Sequence, residues 1–290
     1  RPIADIGRGL QGAVAGVNIT IPTGEVGSDP LIKIRGQVGS ISGNNTPLIL
    51  LDNVEIPSIQ MVNPNDVQSI SVLKDAASSS IYGSKAAFGV ILITTKSGAQ
   101  SDKFEISYSN NFSWQDPAKK IEIGGIEALQ YTLDAQTNRR EPMPAGGFWR
   151  ISPESLEKAI EWQNLYGGKV KWNDPVVYGR DWFYDGKDKY GYRLYDGAKA
   201  MIKNWTPTMT HNLSVNGKSG KTSYNIGLGY LDQSGMSKTA KKDDFKRYNA
   251  SVSVTSEINK YITVRASSIY SDRNKRYPGI GNTTADPWLY

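Results

Sequence analysis

The stretch 47–98 reads PLILLDNVEIPSIQMVNPNDVQSISVLKDAASSSIYGSKAAFGVILITTKSG. It contains three short runs of aliphatic and β-branched residues, Leu48–Leu51, Val67–Leu73 and Val90–Thr95. Runs of this length, separated by turn-forming residues, are typical of strands in a small buried sheet. The stretch therefore predicts the sheet of a compact domain.

Residues between these runs predict the connections. Asp and Asn at 52–53 and the Asn-Pro-Asn sequence at 63–65 are typical of tight turns. A short helix is predicted over 76–82, with Asp75 as its cap and Gly83 ending it in a left-handed conformation. The domain is therefore expected to be of the α+β class.

This order of residues resembles the plug domain of TonB-dependent outer-membrane transporters, and within them the SusC/RagA-like branch. The resemblance rests on a strand ending in Asp and a small residue at 51–54, an Asn-Pro-x-Asp turn followed by an xSIxVLKDA strand at 63–76, and the sequence IYGSxAxxGVILITTKxG at 81–98. It implies a mainly β fold. A small α+β plug domain would occupy 1–100, and the first antiparallel strands of a transmembrane β-barrel would follow at 101–290.

The residues before this stretch fit the same domain. Apolar residues spaced three and four apart predict a short helix within 3–15, and strands are expected at 17–21 and 31–36. Residues 10–19 resemble the ALQGxVAGVxI opening of the plug. The glycines at 7, 9 and 12 match the spacing of a dinucleotide fingerprint, but no strand precedes them and no βαβ unit follows, so nucleotide binding is not expected.

A loop rich in Gly, Ser and Asn follows the second of these strands at 38–45. The resemblance implies that such plug loops face the extracellular cavity. The candidates for substrate contact in this loop are Ser40, Ser42, Asn44 and Asn45. An ordinary solvated turn explains the same composition equally well.

Beyond the plug, apolar and polar residues alternate in five segments: 104–114, 209–217, 222–231, 248–255 and 262–270. A soluble antiparallel sheet has the same period of two. The connections between the segments are long, short, medium and short, as they are in outer-membrane barrels. We therefore predict five transmembrane strands whose two longer connections are extracellular. Five strands cannot close a barrel, so the chain is expected to be part of a longer protein. The resemblance implies that this protein also carries a TonB-binding segment upstream.

The long connection at about 115–208 is expected to form a subdomain, since a structureless loop of this size would be unusual. Helices are predicted over 126–138 and Pro153–Tyr166, the second capped by Ser152. Five tryptophans lie in this region. Of these, Trp149 and Trp182 are candidates for stacking on substrate, although packing within the subdomain is the commoner role of such rings.

The composition argues against several kinds of site. The chain has no cysteine and only one histidine, His211, so no catalytic, cofactor or metal-binding residue is predicted. Carboxylates at 154, 157 and 161 are expected to be solvated, and those at 181, 185 and 188 do not fit a calcium loop. The net charge of +6 is scattered along the chain, so nucleic acid is not an expected partner. A basic cluster at 238, 241, 242, 246 and 247 is predicted to lie in an outer loop, solvated or near lipopolysaccharide phosphates.

The resemblance also implies the function and the partners. The chain would take part in TonB-dependent import of oligosaccharides or oligopeptides through the outer membrane, together with a SusD-like lipoprotein and TonB, in contact with membrane lipid. The candidates for contact between plug and barrel are Asp52, Lys74, Asp75 and Lys96. These four residues serve equally well as caps and turn formers. The alternatives are a siderophore or vitamin receptor, a soluble β-rich carbohydrate-binding module and, more distantly, an enzyme.

Overall fold

The computed structural model of the chain describes residues 6–21, 25–34, 46–75, 79–98, 104–117, 124–139, 151–171, 173–187 and 189–276. These residues form two compact units. The first lies within Arg1–Gln115, Trp205–Met236 and Ala240–Tyr290, and the second within Asp116–Asn204 and Ser237–Thr239. Within the described ranges, no helix is long and apolar enough to cross a membrane.

Among its described residues, the plug part of the first unit contains the short helix α1 and two small sheets. Its elements are α1 (Ile6–Leu10), β1 (Val17–Thr20), β2 (Leu31–Ile34), β3 (Leu48–Leu51), β4 (Val54–Glu55), β5 (Val67–Leu73) and β6 (Val90–Thr95). Strands β1 and β2 form an antiparallel pair, and the larger sheet has the order β4-β3-β6-β5. In that sheet β3 and β6 are parallel, whereas the other pairs are antiparallel. The three strands predicted from the stretch 47–98 are confirmed at their predicted bounds.

Residues from all parts of the plug contribute to its core. The side chains of Ile6, Ile32, Ile59 and Ile91 are buried in one cluster, so α1 and the β1–β2 pair pack on the larger sheet. Fully burying one such aliphatic side chain contributes about 1.5–3 kcal/mol. The plug is therefore held together internally by a dry core.

Two turns in the plug use unusual backbone conformations. Asp52 and Asn53 have φ of 46° and 69° and join β3 to β4 in the tight turn predicted for them. Of the predicted helix 76–82, residues 76–78 lie outside the described residues, and Ser80–Tyr82 is a single 3-10 turn. Gly83 follows with φ 71° and ψ −161°. Its φ is positive as predicted, but its ψ is extended rather than helical, because Gly83 leads directly into a second 3-10 turn, Ser84–Ala86.

Five long strands form the rest of the first unit. These are β7 (Glu105–Gln115), β10 (Thr206–Ser219), β11 (Thr222–Ser234), β12 (Asp244–Asn259) and β13 (Ile262–Arg276). They form one antiparallel sheet in the order β13-β12-β11-β10-β7 and do not close on one another. Each of the last four is longer than predicted, since the backbone pairing continues past the apolar segment into polar residues. The mainly β fold predicted from the sequence, a small α+β plug followed by antiparallel barrel strands, is confirmed.

The second unit contains α2 (Ile126–Arg139), α3 (Pro153–Tyr166), the antiparallel pair β8 (Trp182–Tyr184) and β9 (Lys189–Gly191), and α4 (Gly197–Met201). Both predicted helices are present. The Ser152 hydroxyl accepts a hydrogen bond from the Ser155 N–H at 3.1 Å and caps α3, and Gly168 ends it with φ 76°. Helix α3 buries Leu156, Ala159 and Trp162, so its apolar face forms the centre of this unit.

Candidate functional site

The five-stranded sheet has one apolar and one polar face. The large side chains on the outward face are exposed, among them Ile106, Phe112, Leu228, Val252 and Tyr270. The opposite face, here called the wall, carries mainly small or polar residues: Ser109, Asn212, Gly227, Gly229, Asn249, Ser251 and Arg273. An exposed apolar face opposite a polar one is typical of transmembrane barrel strands.

Residues 58–66 of the plug, here called the corner segment, lie against the wall. It consists of two 3-10 turns, Ile59–Met61 and Pro64–Asp66, capped by the side chains of Ser58 and Asn63. Four hydrogen bonds join it to β10 and β12: Asn63 Nδ2 to Asn212 Oδ1 (3.0 Å), Asn249 Nδ2 to the Met61 carbonyl (2.7 Å), Arg247 to the Gln60 carbonyl (3.0 Å) and Ser251 Oγ to Asp66 Oδ2 (2.8 Å). The contact is thus almost entirely polar.

Two wall glycines on β11 make this close approach possible. A Cβ at Gly227 would lie 2.6 Å from Asp66 Oδ1, and a Cβ at Gly229 would lie 2.5 Å from Asn63 Nδ2. Separations below about 3 Å between such atoms are repulsive, so any side chain here would push away the Asp66 and Asn63 side chains that bond to the wall. The glycines therefore shape the wall to receive this part of the plug.

The four predicted plug–barrel candidates lie in different surroundings. Asp52 accepts from the Thr95 N–H at 2.9 Å and lies 3.9 Å from Arg265 on β13. Lys74 donates a hydrogen bond to the Ala15 carbonyl within the plug. The backbone carbonyl of the exposed Asp75 accepts a hydrogen bond from the Ser79 N–H. The Lys96 N–H donates to the carbonyl of Asp66 at 2.9 Å. Of the four, Asp52 approaches a charged side chain of a barrel strand.

Sequence reasoning missed most residues of this contact. It placed Arg247 in an outer basic loop, and that placement is wrong: Arg247 lies on β12, is 3% exposed and faces the plug. Its neighbour Lys246 faces outward and pairs with Asp232 at 3.2 Å. Successive side chains of a strand point to opposite faces, so Lys246 and Arg247 lie on opposite faces of β12. Extending the predicted alternation to the residues before Tyr248 would have indicated that Arg247 faces the plug.

Most of the predicted substrate-contact residues lie outside the described residues. These are Ser40, Ser42, Asn44, Asn45 and Trp149. Trp182 is half-buried at the start of β8. Tyr178 meets its ring edge to face with centroids 5.1 Å apart, and Lys189 Nζ lies 5.7 Å from the ring centroid. One aromatic platform is thus present on the second unit.

Asp181 is the polar centre of the second unit, although its spacing had suggested only a weak cation candidate. Its side chain is fully buried and accepts from Trp162 Nε1 (2.9 Å), from the Val177 N–H (2.9 Å) and from both Nε and Nη2 of Arg180 (2.9 and 2.7 Å), with Arg193 at 3.4 Å. These donors, Arg180 foremost, hold the pKa of the Asp181 carboxyl well below its usual range. The role of Asp181 is structural, and the described residues contain no group of ligands suited to a metal ion.

Asp66 behaves in the opposite way at the contact between plug and wall. Burial raises the pKa of this carboxyl, and the Ser251 hydrogen bond, Lys96 and Arg247 offset the effect only in part. A raised pKa means that the docked plug favours protonated Asp66. The corresponding stability is complete below the ordinary pKa of the unfolded chain and is lost as the pH rises through the higher folded value.

We therefore expect Asp66→Asn to remove a pH dependence of the plug. In the unaltered protein the urea midpoint of plug unfolding should decrease as the pH rises above the ordinary carboxyl value of about 4, and the variant should lose that decrease because an amide does not ionise. Pulse proteolysis in urea measures the midpoint, and Asp75→Asn, at an exposed carboxyl, is the control. An unchanged pH dependence in Asp66→Asn would contradict this account.

Comparison with known proteins agrees with this architecture. The model of the TonB-dependent receptor plug domain family matches residues 1–90. The solved structure of the RagAB peptide importer in its closed-closed state superposes with a TM-score of 0.68 at 27% identity, over 95% of this chain and 29% of that one. Residues 1–90 therefore belong to the TonB-dependent receptor plug domain family, and the chain as a whole resembles the first part of SusC/RagA-like TonB-dependent transporters.

Two relatives show how much of such a protein the chain represents. TonB-dependent receptor P26 of Formosa agariphila is 29% identical over 98% of the chain and 25% of the relative. TonB-dependent receptor SusC of Bacteroides thetaiotaomicron is 26% identical over 94% of the chain and 23% of the relative. The chain thus spans about a quarter of the length of these relatives. TonB-dependent receptors are outer-membrane β-barrel proteins, and these relatives are named receptors and importers, not enzymes.

Proposed function

We propose that the protein imports oligomeric nutrients across the outer membrane in a TonB-dependent manner. The observation that carries this proposal is the docking of a plug with its own apolar core on the polar face of strands whose other face is apolar and exposed. Such a plug blocks a barrel at rest and must move for a substrate to pass. No covalent chemistry by this chain is needed.

The interface between plug and wall suits a part that has to move. Its contacts are mainly hydrogen bonds and partly exposed ion pairs, together with a small apolar contact of Val26 with Leu231 and Phe245, whereas the inside of the plug is a larger aliphatic core. Water readily replaces polar contacts of this kind, so a polar interface separates at lower cost than the plug unfolds. Force from TonB, applied through a TonB-binding segment of the full-length protein, would then shift the plug along the wall.

The substrate is proposed to be an oligosaccharide or an oligopeptide, held outside the plug beneath a SusD-like lipoprotein. This proposal rests on the likeness to SusC and to RagAB, of which RagAB is a peptide importer. The connection between β7 and β10 and that between β11 and β12 lie at the end of the strands opposite the two-residue turns, and this end is proposed to be extracellular. The aromatic platform around Trp182 then belongs to the extracellular side.

Native mass spectrometry of the full-length protein, extracted in detergent from its own outer membrane, tests the assembly. We expect a complex with a lipoprotein and a residual oligomer, whose repeating mass identifies a glycan or a peptide. A protein that is extracted without detergent and carries no partner would overturn the proposal in favour of a soluble module.

A further inference from the structure

A second part of the plug, residues 25–29, also touches the barrel strands. It lies between β1 and β2 and reads Glu-Val-Gly-Ser-Asp. Here it is called the clasp segment. Its partners lie at the ends of β11, β12 and β13 that are remote from the two-residue turns.

An apolar contact seats the clasp segment. Val26 is buried in a cluster with Leu231 and Phe245 of the wall. The Phe245 ring lies directly over Gly27, where a Cβ would come within 2.2 Å of a ring carbon and where φ is 67°. Only glycine fits this position, so the fit of the segment under the ring is specific.

Ion pairs on either side of this contact complete it. Lys275 Nζ lies 2.7 Å from Glu25 and donates to Ser28 Oγ at 3.0 Å. Arg273 lies 4.0 Å from Asp29 and donates to Ser58 Oγ at 2.8 Å. Ser58 in turn donates to Asp29, which links the clasp segment to the corner segment.

The two attachment points differ in their exposure to solvent. In the clasp segment the carboxylates of Glu25 and Asp29 are 48% and 57% exposed, and their partners Lys275 and Arg273 are 26% and 32% exposed. At the corner segment the wall residues Arg247 and Asn249 are buried against the plug backbone. Exposed ion pairs are weak and screened by salt, while buried hydrogen bonds are not.

We infer that the clasp segment is a salt-sensitive fastening which opens before the corner segment leaves the wall. The plug would then be released in two steps, with the corner segment retaining its position while the clasp segment swings away from Phe245. Its part in import rests on the proposed function, but its opening is a property of plug and wall that is measured without transport.

Cysteine labelling of the full-length transporter tests this order. The 290 residues contain no cysteine, so single reporters can be introduced at buried positions. Val26→Cys and Leu231→Cys report on the clasp segment from its two sides, and Ser251→Cys, at a buried wall position beside Asp66, reports on the corner segment. Raising the salt concentration from about 0.05 M to about 1 M shortens the screening length from over 10 Å to about 3 Å. We expect maleimide labelling at both clasp reporters to become about 3- to 10-fold faster, with less than about a twofold change at Ser251→Cys.

Two charge variants on the same strand provide a matched pair. Lys275→Gln removes the clasp cation, whereas Arg276→Gln removes an equivalent cation that pairs with Asp244 at 2.7 Å and does not touch the plug. Lys275→Gln should accelerate clasp labelling at low salt and remove most of the salt dependence, and Arg276→Gln should do neither. Salt-independent labelling at the clasp reporters, an equal rise at Ser251→Cys, or equal effects of the two charge variants would overturn the inference. Loss of import with this pattern intact would count against the proposed function alone.

Discussion

Replacing Asp181 with alanine is expected to unfold much of the second unit. The substitution leaves Arg193, which is 1% exposed, without its buried carboxylate partner, and deprives Trp162 Nε1 of its acceptor. Removing one member of a buried ion pair costs about 3–5 kcal/mol. Amide exchange of α3, measured by mass spectrometry on the full-length protein, should therefore become at least about 100-fold faster.

Asp185→Ala is the matched control for this substitution. Asp185 lies on the same connection, is exposed, and bonds to the Lys187 N–H and the Tyr190 hydroxyl. Its loss should change exchange in α3 by less than about tenfold, since exposed polar contacts contribute about 1 kcal/mol or less. Equal effects of the two substitutions would show that Asp181 is not the centre of the unit.

The pH dependence of the second unit follows from the same carboxylate. Because the pKa of Asp181 is lowered in the folded protein, its contribution to stability is complete above the ordinary value of about 3.9 and is lost only as the pH falls through the lower folded value. The difference between the unaltered protein and Asp181→Ala should thus be constant from about pH 5 to pH 8 and shrink in stronger acid.

Valine at Gly98 is expected to separate the plug from the wall. Gly98 is the last residue of the 81–98 motif and follows β6. A Cβ there would lie 2.3 Å from the Tyr224 backbone nitrogen and 2.7 Å from the Ser223 carbonyl carbon. These atoms belong to β11, which pairs with β10 on one side and β12 on the other, so they have little room to move. Overpacking of this kind costs about 1–3 kcal/mol or more.

The effect of Gly98→Val is measured by amide exchange in β6, which should become about tenfold faster. Gly191→Val serves as the control, since a Cβ at Gly191 meets nothing within 4 Å and its φ is not positive. If β6 exchanged at the same rate in Gly98→Val and in the unaltered protein, the close approach would not matter for plug stability.

The plug was largely predictable from its sequence because local signals coincide there. Apolar runs such as Leu48–Leu51 have the length of a buried strand and are bounded by turn formers. The motif order in 47–98 also resembles a known family. Local pattern and family resemblance therefore led to the same strands, at the same bounds.

The contact between plug and wall was not predictable in the same way. Ser251 and Asp66 are 185 positions apart in the sequence, and nothing local connects them. Asn63 and Asp66 look like turn residues, which they also are, and their second role emerges only when β10 and β12 are placed beside them. Arg247 was misassigned because four lysines close to it in sequence made the whole cluster look like a solvated loop.

Asp181 shows a related limit. Its sequence neighbours suggested a loose acidic group, whereas its partners Trp162 and Arg193 come from 19 residues before and 12 residues after it. Burial of a charged residue depends on which donors the fold assembles around it, and that information is not contained in spacing.

Uptake by cells is the measurement that tests active import most directly. Cells with and without the gene for the full-length protein would be given labelled mixtures of oligosaccharides and oligopeptides, with and without a protonophore that removes the energy available to TonB. We predict that one class of oligomer accumulates only when the gene is present and the membrane is energised. Equal uptake of every oligomer with and without the gene, or uptake that persists unchanged in the presence of the protonophore, would contradict the account.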